Sequence, residues 1–341
     1  MVNTDLTHYL ARLLNRENLT RVEAAGLLEA MLADDASDAQ IAAALVALAA
    51  KGETVDELAG LAGALRERAV KVTSSHTVCV DTAGTGSSYA KTFNVSTAAA
   101  FVCAGAGLAV AKHGNRAASS KSGSADVLTA LGVNVNALAK VAQDCLNEIG
   151  ICFMFAPLFH GATARVAGIR RELGIRTTFN LLGPLSNPAG APRQIIGVWR
   201  RDLVELLAQV ALALGTEHAW VVHGEDGLDE LTLAGKTFVA EANNGAVRTF
   251  EVTPHDFGLS ESTLEHLQGG DAEANAQLIS DVLTGKRRDE ARGLVVINAA
   301  AAIFVGGKAA TLKEAADLAA ASIDSGAASK KLEQLVASTN G

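Results

Sequence analysis

Aromatic residues are scarce, 4% of 341, and there are only four cysteines, Cys79, Cys103, Cys145 and Cys152. They form no C-x-x-C pair and sit among mostly apolar neighbours, which suits buried thiols in a reducing compartment better than disulfides or zinc ligands. Positive charge is short too: 29 Lys and Arg against 37 Asp and Glu leave a net charge of −8. An acidic chain has no uniform attraction for phosphate backbones, so nucleic acid is not an expected partner and any anionic ligand needs a local positive cluster. The longest apolar run, Ala98 to Ala111, is too short and too Gly-rich to span a bilayer, and no charged-then-apolar leader opens the chain. No membrane partner is expected, and the expected location is the cytoplasm.

Several motifs of covalent and nucleotide chemistry are missing as well. There is no nucleophile elbow, no H-E-x-x-H and no catalytic-looking Cys, which disfavours covalent hydrolysis. After Gly84 and Gly86 the third position of the dinucleotide fingerprint is Tyr89. The P-loop-like ending Gly235-Lys236-Thr237 has Glu230 where its leading glycine belongs, and it reads as a surface turn.

The hydrophobic fraction is an ordinary 49%, over a length that predicts about two domains at roughly 150 residues each. From Asp5 to about Val70 apolar residues recur three and four apart, as in Leu6, Leu10 and Leu13 and then Ala24, Leu27, Leu28 and Met31, which predicts several short helices. Thr20 followed by Glu23, and Ser37 after the Asp34-Asp35 break, supply cap signals. Beyond Ser74-Ser75-His76 short β-type runs alternate with Gly-rich turns and Ala/Leu helices, the pattern of a largely parallel sheet. Strands are expected at Thr77–Val80, Leu108–Ala111, Ile151–Phe155, Gln194–Trp199 and His218–Val222, with a hairpin over Phe238–Val252 turning near Asn243-Asn244-Gly245. Helices are expected between them and over most of Asp271 to Ser338. The expected fold class is α/β: a small helical N-terminal domain, 1–72 with a contribution from about 160–185, and a larger α/β domain, 73–341, around a central mostly parallel sheet.

Ligands of such sheets collect beyond the carboxyl ends of the strands, so the turns after Val80, Ala111 and Val222 matter most. The first, Asp81 to Ser88 followed by Thr92 to Thr97, joins glycines that permit close backbone approach to small donors at a helix start. It reads equally as a phosphate cradle or as a tight connection capped by Ser96 or Thr97. The second, Ala111 to Asp126, groups Lys112, Arg116 and Lys121 with Ser119, Ser120, Ser122 and Ser124, a donor set for a multiply charged anion or else a solvated loop. The third, His223 to Glu230, carries four carboxylates. Magnesium commonly takes one or two carboxylates plus substrate phosphates, so Asp229 and Glu230 are candidate ligands, against a metal-free acidic turn. In the basic stretch from His160 to Arg176, Arg170 has the shape to grip a planar carboxylate, whereas Arg165 and Arg171 are expected to face water.

Taken together, GTGSS from Gly84, TFNVST from Thr92, AKHGNRAASSKSGSADVLTALG from Ala111, IRRELGIRTTFNLLGPLSNP from Ile169 and GLDELT from Gly227 resemble the anthranilate phosphoribosyltransferase family of tryptophan biosynthesis. The resemblance runs from the helical N-terminus to about Val305. It implies an active site in a cleft between the two domains, a homodimer formed through the helical part, and no covalent enzyme intermediate. The implied reaction moves the 5-phosphoribosyl group of 5-phosphoribosyl 1-diphosphate (PRPP) onto the amine of anthranilate and releases diphosphate. By the same resemblance Gly84, Ser87, Ser88, Thr92, Asn94, Ser96, Thr97, Lys112, Ser120 and Ser124 hold PRPP, while Ser96, Asp229 and Glu230 serve Mg2+. Asn115 and Arg170 contact anthranilate, and His113, His160 and Pro184 line its path.

One departure stands out: the family usually has GTGGD where this chain has Gly84-Thr85-Gly86-Ser87-Ser88. Ser87 adopts a positive φ less readily than glycine, and Ser88 offers magnesium no charged ligand. Ser88 is therefore expected to act as a neutral donor to diphosphate, with the main ion at Asp229 and Glu230. Two other readings stay open, a pyrimidine nucleoside phosphorylase-like enzyme and a non-catalytic nucleic-acid-binding relative. The net charge and the retained Lys112, Arg170, Asp229 and Glu230 argue against the second.

Overall fold

The computed structural model describes residues 5–86, 92–117 and 121–341. It opens with α1 (Leu6–Leu14), α2 (Arg21–Leu32), α3 (Asp38–Lys51) and α4 (Val55–Arg68). Thr20 and Glu23 exchange hydrogen bonds across the first turn of α2, and Ser37 and Gln40 do the same at α3, so the caps read in the sequence set both helix starts.

The chain then runs through β1 (Cys79–Asp81), α5 (Val95–Gly105), β2 (Ala109–Gly114), α6 (Ser124–Ala130), α7 (Ala139–Ile149) and β3 (Ile151–Phe155). Next come α8 (Ala156–Phe159), α9 (Ala164–Leu173), α10 (Phe179–Leu185), β4 (Arg193–Gly197), α11 (Leu203–Ala213) and β5 (His218–Gly224). The last part holds β6 (Thr237–Asn243), β7 (Ala246–Val252), α12 (Ala272–Leu283), α13 (Glu290–Val305), α14 (Leu312–Asp324) and α15 (Ala327–Asn340).

Among the described residues the strands form one seven-stranded sheet in the order β3-β2-β1-β4-β5-β6-β7, parallel from β3 to β5 and antiparallel beyond. Each expected strand is present, and the hairpin turns through Asn244 (φ 49°) and Gly245 (φ 77°), both in the left-handed region that a two-residue loop requires. Boundaries shift by one or two residues at β1, β4 and β5, and the shift at β2 moves two candidate site residues. β2 continues to Gly114 because Lys112, His113 and Gly114 go on pairing with Phe153, Met154 and Phe155 of β3, so Lys112 and His113 stand on a strand and not in a turn.

Alternation along β4 to β6 sends side chains into two cores. Ile196, Ala219, Val221, Ala240 and Ala242 pack with α11 and with α1–α4, a core that also takes Val166 and Ile169 of α9 and Leu181, Leu182 and Leu185 of α10. Ile195, Trp220, Val222 and Val239 face the opposite core, built largely from α5 and α13. Burial on both faces accounts for the nearly unbroken apolar texture of these strands.

All four cysteines are free and buried, and burial pushes the Cys79 thiol up to about 11 and the Cys103 thiol to about 12, as for inert packing groups. Lys236 lies at the surface, paired with Glu251 at 2.8 Å, so Gly235-Lys236-Thr237 is a surface turn. No helix among the described residues is long and apolar enough to cross a membrane. The strand order reverses between β1 and β4, and a ligand crevice is expected beyond the carboxyl ends of those two strands.

Candidate active site

A cavity of about 1110 Å³ opens there, and all three turns singled out above reach it. Lys112 is buried with its ammonium aimed into the first turn: Nζ donates to the Thr82 carbonyl (3.4 Å), to Thr82 Oγ1 (3.2 Å) and to Ser96 Oγ (3.4 Å). The Ser96 N–H in turn donates to Glu230 Oε1 at 3.3 Å, which brings in the third turn. Lys112, Ser96 and Glu230 thus share one wall.

Close backbone packing makes this convergence possible. A Cβ on Gly197, at the end of β4, would lie 1.5 Å from the Asp229 carbonyl oxygen, so only glycine lets the third turn rest against that strand. Thr85 fastens the first turn to the same point, donating to the Gly197 carbonyl from its N–H (2.8 Å) and its hydroxyl (3.0 Å). In the second turn a Cβ on Gly123 would meet the Ala117 nitrogen at 2.4 Å. Asp126 closes that turn by accepting from the Ala117 and Gly123 N–H groups, both at 2.9 Å, and by pairing with Arg116 at 2.8 Å. Lys112, Arg116 and Lys121 all line the cavity, Arg116 with its charge paired to Asp126. Ser124 Oγ donates to the Asn115 carbonyl at 3.3 Å, and both residues line it too.

Burial shapes the charge on this wall. It raises the Glu230 carboxyl to about 8, with the neighbouring Asp229 charge adding to the rise, and it lowers the Lys112 ammonium against the attraction of Asp81 and Glu230. Glu230 Oε2 is shielded from solvent and has no hydrogen-bond partner. An unsatisfied carboxylate oxygen beside a second carboxylate is a donor set that a hard divalent cation satisfies. Among the described residues no three His, Cys, Asp or Glu gather as an all-protein metal cage, so a magnesium ion here would complete its shell with substrate or water oxygens. The other two carboxylates of the third turn are occupied elsewhere: Asp226 accepts from the Leu228 N–H and the Thr232 hydroxyl, and Glu225 from the Lys236 N–H.

The opposite wall is different in kind. His113 follows Lys112 on β2 and so points to the other face, where its Nδ1 lies 3.2 Å from the Gly183 carbonyl. A carbonyl only accepts, so Nδ1 carries the proton and Nε2 presents a lone pair, buried and unpartnered. Burial, then the nearby His160, pushes His113 down to about 3. His160, 5.1 Å away between ring centroids, is also lowered by burial and also leaves Nε2 without a partner. Pro184 lines the same wall. Arg170 donates from Nε to Thr177 Oγ1 (3.0 Å) and from Nη2 to Asn180 Oδ1 (3.1 Å), with the Phe179 ring 5.5 Å from its guanidinium carbon. Its hydrogen-bond partners are neutral, so its charge faces the cavity without a balancing carboxylate among the described residues. Arg165 pairs with Asp38 at 2.7 Å away from the cavity, and Arg171 is exposed.

Gly84, Thr92 and Asn94 complete the lining expected from the first turn. Thr97 is not among the lining residues: α5 begins at Val95, and the step of about 100° from Ser96 to the next helical position carries the Thr97 side chain into a buried site where Oγ1 has no partner. Ser87, Ser88 and Ser120 lie outside the described residues. Sequence reasoning missed the stretch from Gln268 to Asn275, which reaches the wall through a bridge between Gln268 and Thr92. Asn275 Nδ2 donates to Asn94 Oδ1 at 3.1 Å, and Asn94 Nδ2 to the Ser122 carbonyl at 3.3 Å. The only local sign of this was the pair Gly269-Gly270 before a helix, a common loop signal.

Comparison with known proteins places this architecture. A model described as the glycosyl transferase family, helical bundle domain, matches residues 7–69, and one described as the glycosyl transferase family, a/b domain, matches 76–329. Anthranilate phosphoribosyltransferase of Moorella thermoacetica is 52% identical over 328 residues, covering 96% of each chain. The chain belongs to the anthranilate phosphoribosyltransferase family. A second relative of the same name, from Anaeromyxobacter dehalogenans, is 52% identical over 334 residues and 98% of both chains. Among solved structures, anthranilate phosphoribosyltransferase of Thermus thermophilus superposes with a TM-score of 0.92 at 40% identity, over 97% of this chain and 99% of the other. The Saccharomyces cerevisiae enzyme in complex with PRPP and Mg gives 0.89 at 29% identity, over 98% of both.

Proposed function

We propose that this chain transfers the 5-phosphoribosyl group of PRPP to the amine of anthranilate, giving N-(5-phosphoribosyl)anthranilate and diphosphate. The observation that carries this reading is a single cavity with two unlike walls, Lys112, Ser96 and Glu230 on one and Arg170, His113 and His160 on the other. Breaking the anomeric bond leaves positive charge on the ribose and negative charge on the departing diphosphate. Lys112 faces the departing charge, and Gly84, Thr92, Asn94, Ser96 and Ser124 supply backbone approach and small donors around it, with Ser87, Ser88 and Ser120 assigned to the same role from sequence. Asp229 and Glu230, with Ser96 beside them, would hold Mg2+. When bound, the ion supplies positive charge that offsets the diphosphate. Arg170 faces the carboxylate of the aromatic acid, Asn115 contacts the same substrate, and His113, His160 and Pro184 line its path without adding charge.

We further take 1–72 and 73–341 as the two domains, and the assembly as a homodimer through the helical bundle, whose exposed Leu14 and Val22 give it apolar surface to bury. Four free buried thiols suit a cytoplasmic setting. The test is the loss of anthranilate fluorescence with and without magnesium and PRPP. Loss that requires both supports the reading, whereas phosphate-dependent cleavage of thymidine or uridine would replace it with a nucleoside phosphorylase. For the Ser88 departure, Ser88→Asp is expected to alter the dependence of rate on magnesium. An unchanged profile would count against a neutral donor at that position.

A further inference from the structure

Behind both walls lies a carboxylate that neither wall presents to the cavity. Asp81 ends β1 and is fully buried. Its Oδ1 accepts from the His113 N–H at 3.3 Å, its Oδ2 accepts from Asn187 Nδ2 at 2.6 Å, and the Thr82 backbone N–H donates to it as well. Asn187, in the loop from α10 to β4, is 2% exposed and has both ends of its amide in use. Nδ2 also donates to the Ala111 carbonyl at 2.8 Å, and Oδ1 accepts from the Ala189 N–H at 2.8 Å. A buried carboxylate is costly unless satisfied, and Asp81 is satisfied by these donors and by the nearby charge of Lys112.

We infer that Asp81 and Asn187 form a buried clasp that sets the spacing between the donor and acceptor walls, with Asp81 as a positioning residue for transfer. The clasp joins two bodies. On one side is the strand end carrying Lys112 and His113, held by Asp81 at the N–H between them. On the other is the loop after α10, whose Gly183 carbonyl holds the His113 ring and whose Pro184 lines the acceptor wall. Leu181, Leu182 and Leu185 root that loop in the core of the helical bundle, whereas Val80, Val110 and Ala111 belong to the opposite core. Apolar packing within either core does not fix the distance across the joint, but directional hydrogen bonds do. A second tie, Gln194 Nε2 donating to the Pro184 carbonyl at 2.8 Å, limits the movement that breaking the clasp allows. Loss of the clasp therefore shifts the walls slightly without dispersing them, and a misplacement of about 1 Å between reacting groups costs on the order of 100-fold in rate.

The inference rests on the donor and acceptor walls assigned above. Asp81→Asn keeps the shape but leaves an N–H2 facing either Asn187 Nδ2 or the His113 N–H, whichever way the amide turns. The measurements are the transfer rate per folded site in a single turnover, anthranilate affinity from its fluorescence, and PRPP–magnesium affinity from calorimetry. The expected result is a rate loss of roughly 10–100-fold with each affinity changed less than about threefold, and a double variant Asp81→Asn/Asn187→Ala no slower than the slower single. An unchanged rate, a loss wholly explained by weaker binding of one substrate, or effects that multiply in the double variant would overturn the clasp. If Asp81→Asn does not fold, Asn187→Ala, which leaves Asp81 its two backbone donors, carries the same expectations. Unaltered protein that binds both substrates and transfers nothing would remove the assigned reaction and the clasp's role together. Normal transfer by the unaltered chain with normal rates in the variants would remove the clasp alone.

Discussion

On the donor wall of the cavity Lys112 lies against Glu230, with Asp81 behind it, while the acceptor wall holds two imidazoles neutral and keeps Arg170 as a charge with no carboxylate partner among the described residues. The same cause acts on both, since burial raises Glu230 and lowers His113. What differs is the compensation available. Lys112 has carboxylates to offset its burial, whereas His113 has a carbonyl on one nitrogen and nothing on the other. The Lys112 ammonium has carboxylates beside it on the wall proposed for the diphosphate, whereas the imidazoles stay uncharged on the wall proposed for the aromatic acid. The two walls meet on adjacent residues of β2, whose alternation gives each wall one side chain.

Breaking this contrast should have its largest effect at Lys112. Lys112→Met is expected to lower kcat/KM for PRPP by about 10²–10³-fold while leaving anthranilate affinity near its original value. If both substrates suffered alike, the walls would not be separate. Arg170→Ala is expected to raise the anthranilate KM by roughly 10–100-fold, the loss of a hydrogen-bonded charged contact, with little change in the PRPP KM. Equal effects in steady-state kinetics would take Arg170 out of that role. Gly197→Ala forces a methyl group onto the Asp229 carbonyl, and a destabilisation of roughly 1–3 kcal/mol in urea unfolding is expected, with a raised magnesium requirement. An unchanged midpoint would show that the third turn yields freely.

The smallest effect concerns the neutral wall. The folded-state pKa of His113 is depressed, to about 3, so the unfolded chain takes up its proton first as pH falls below the ordinary value of about 6.5. The unfolded state then binds more protons, and stability falls with pH from about 6.5 towards 3. His113→Gln removes that loss, so the variant should lose roughly 1–2 kcal/mol less than the unaltered chain between pH 7.5 and pH 5 in urea unfolding. Parallel losses in the two proteins would mean that His113 is not held neutral.

Much of this was legible locally. The caps at Thr20 and Ser37, the strand runs and the Asn244-Gly245 turn are decided by residues within a few positions of one another, and the sequence pattern located them. The end of β2 was not legible, because Lys112 and His113 read as turn chemistry and only pairing with β3 extends the strand. Asp81 and Asn187 are 106 positions apart, and Asn94 and Asn275 are 181 apart, so neither pair leaves a spacing that could be recognised along the chain.

By itself the sequence determined the order of the elements, the three donor-rich or acidic turns and the resemblance they carry, because each depends on side chains close together along the chain. Only the tertiary structure decided which of four carboxylates face the cavity, which imidazole nitrogen is left open and which residues tie the walls together. Those outcomes follow from burial and from hydrogen bonds between distant segments, and burial is a property of what packs against a residue, not of its neighbours in sequence.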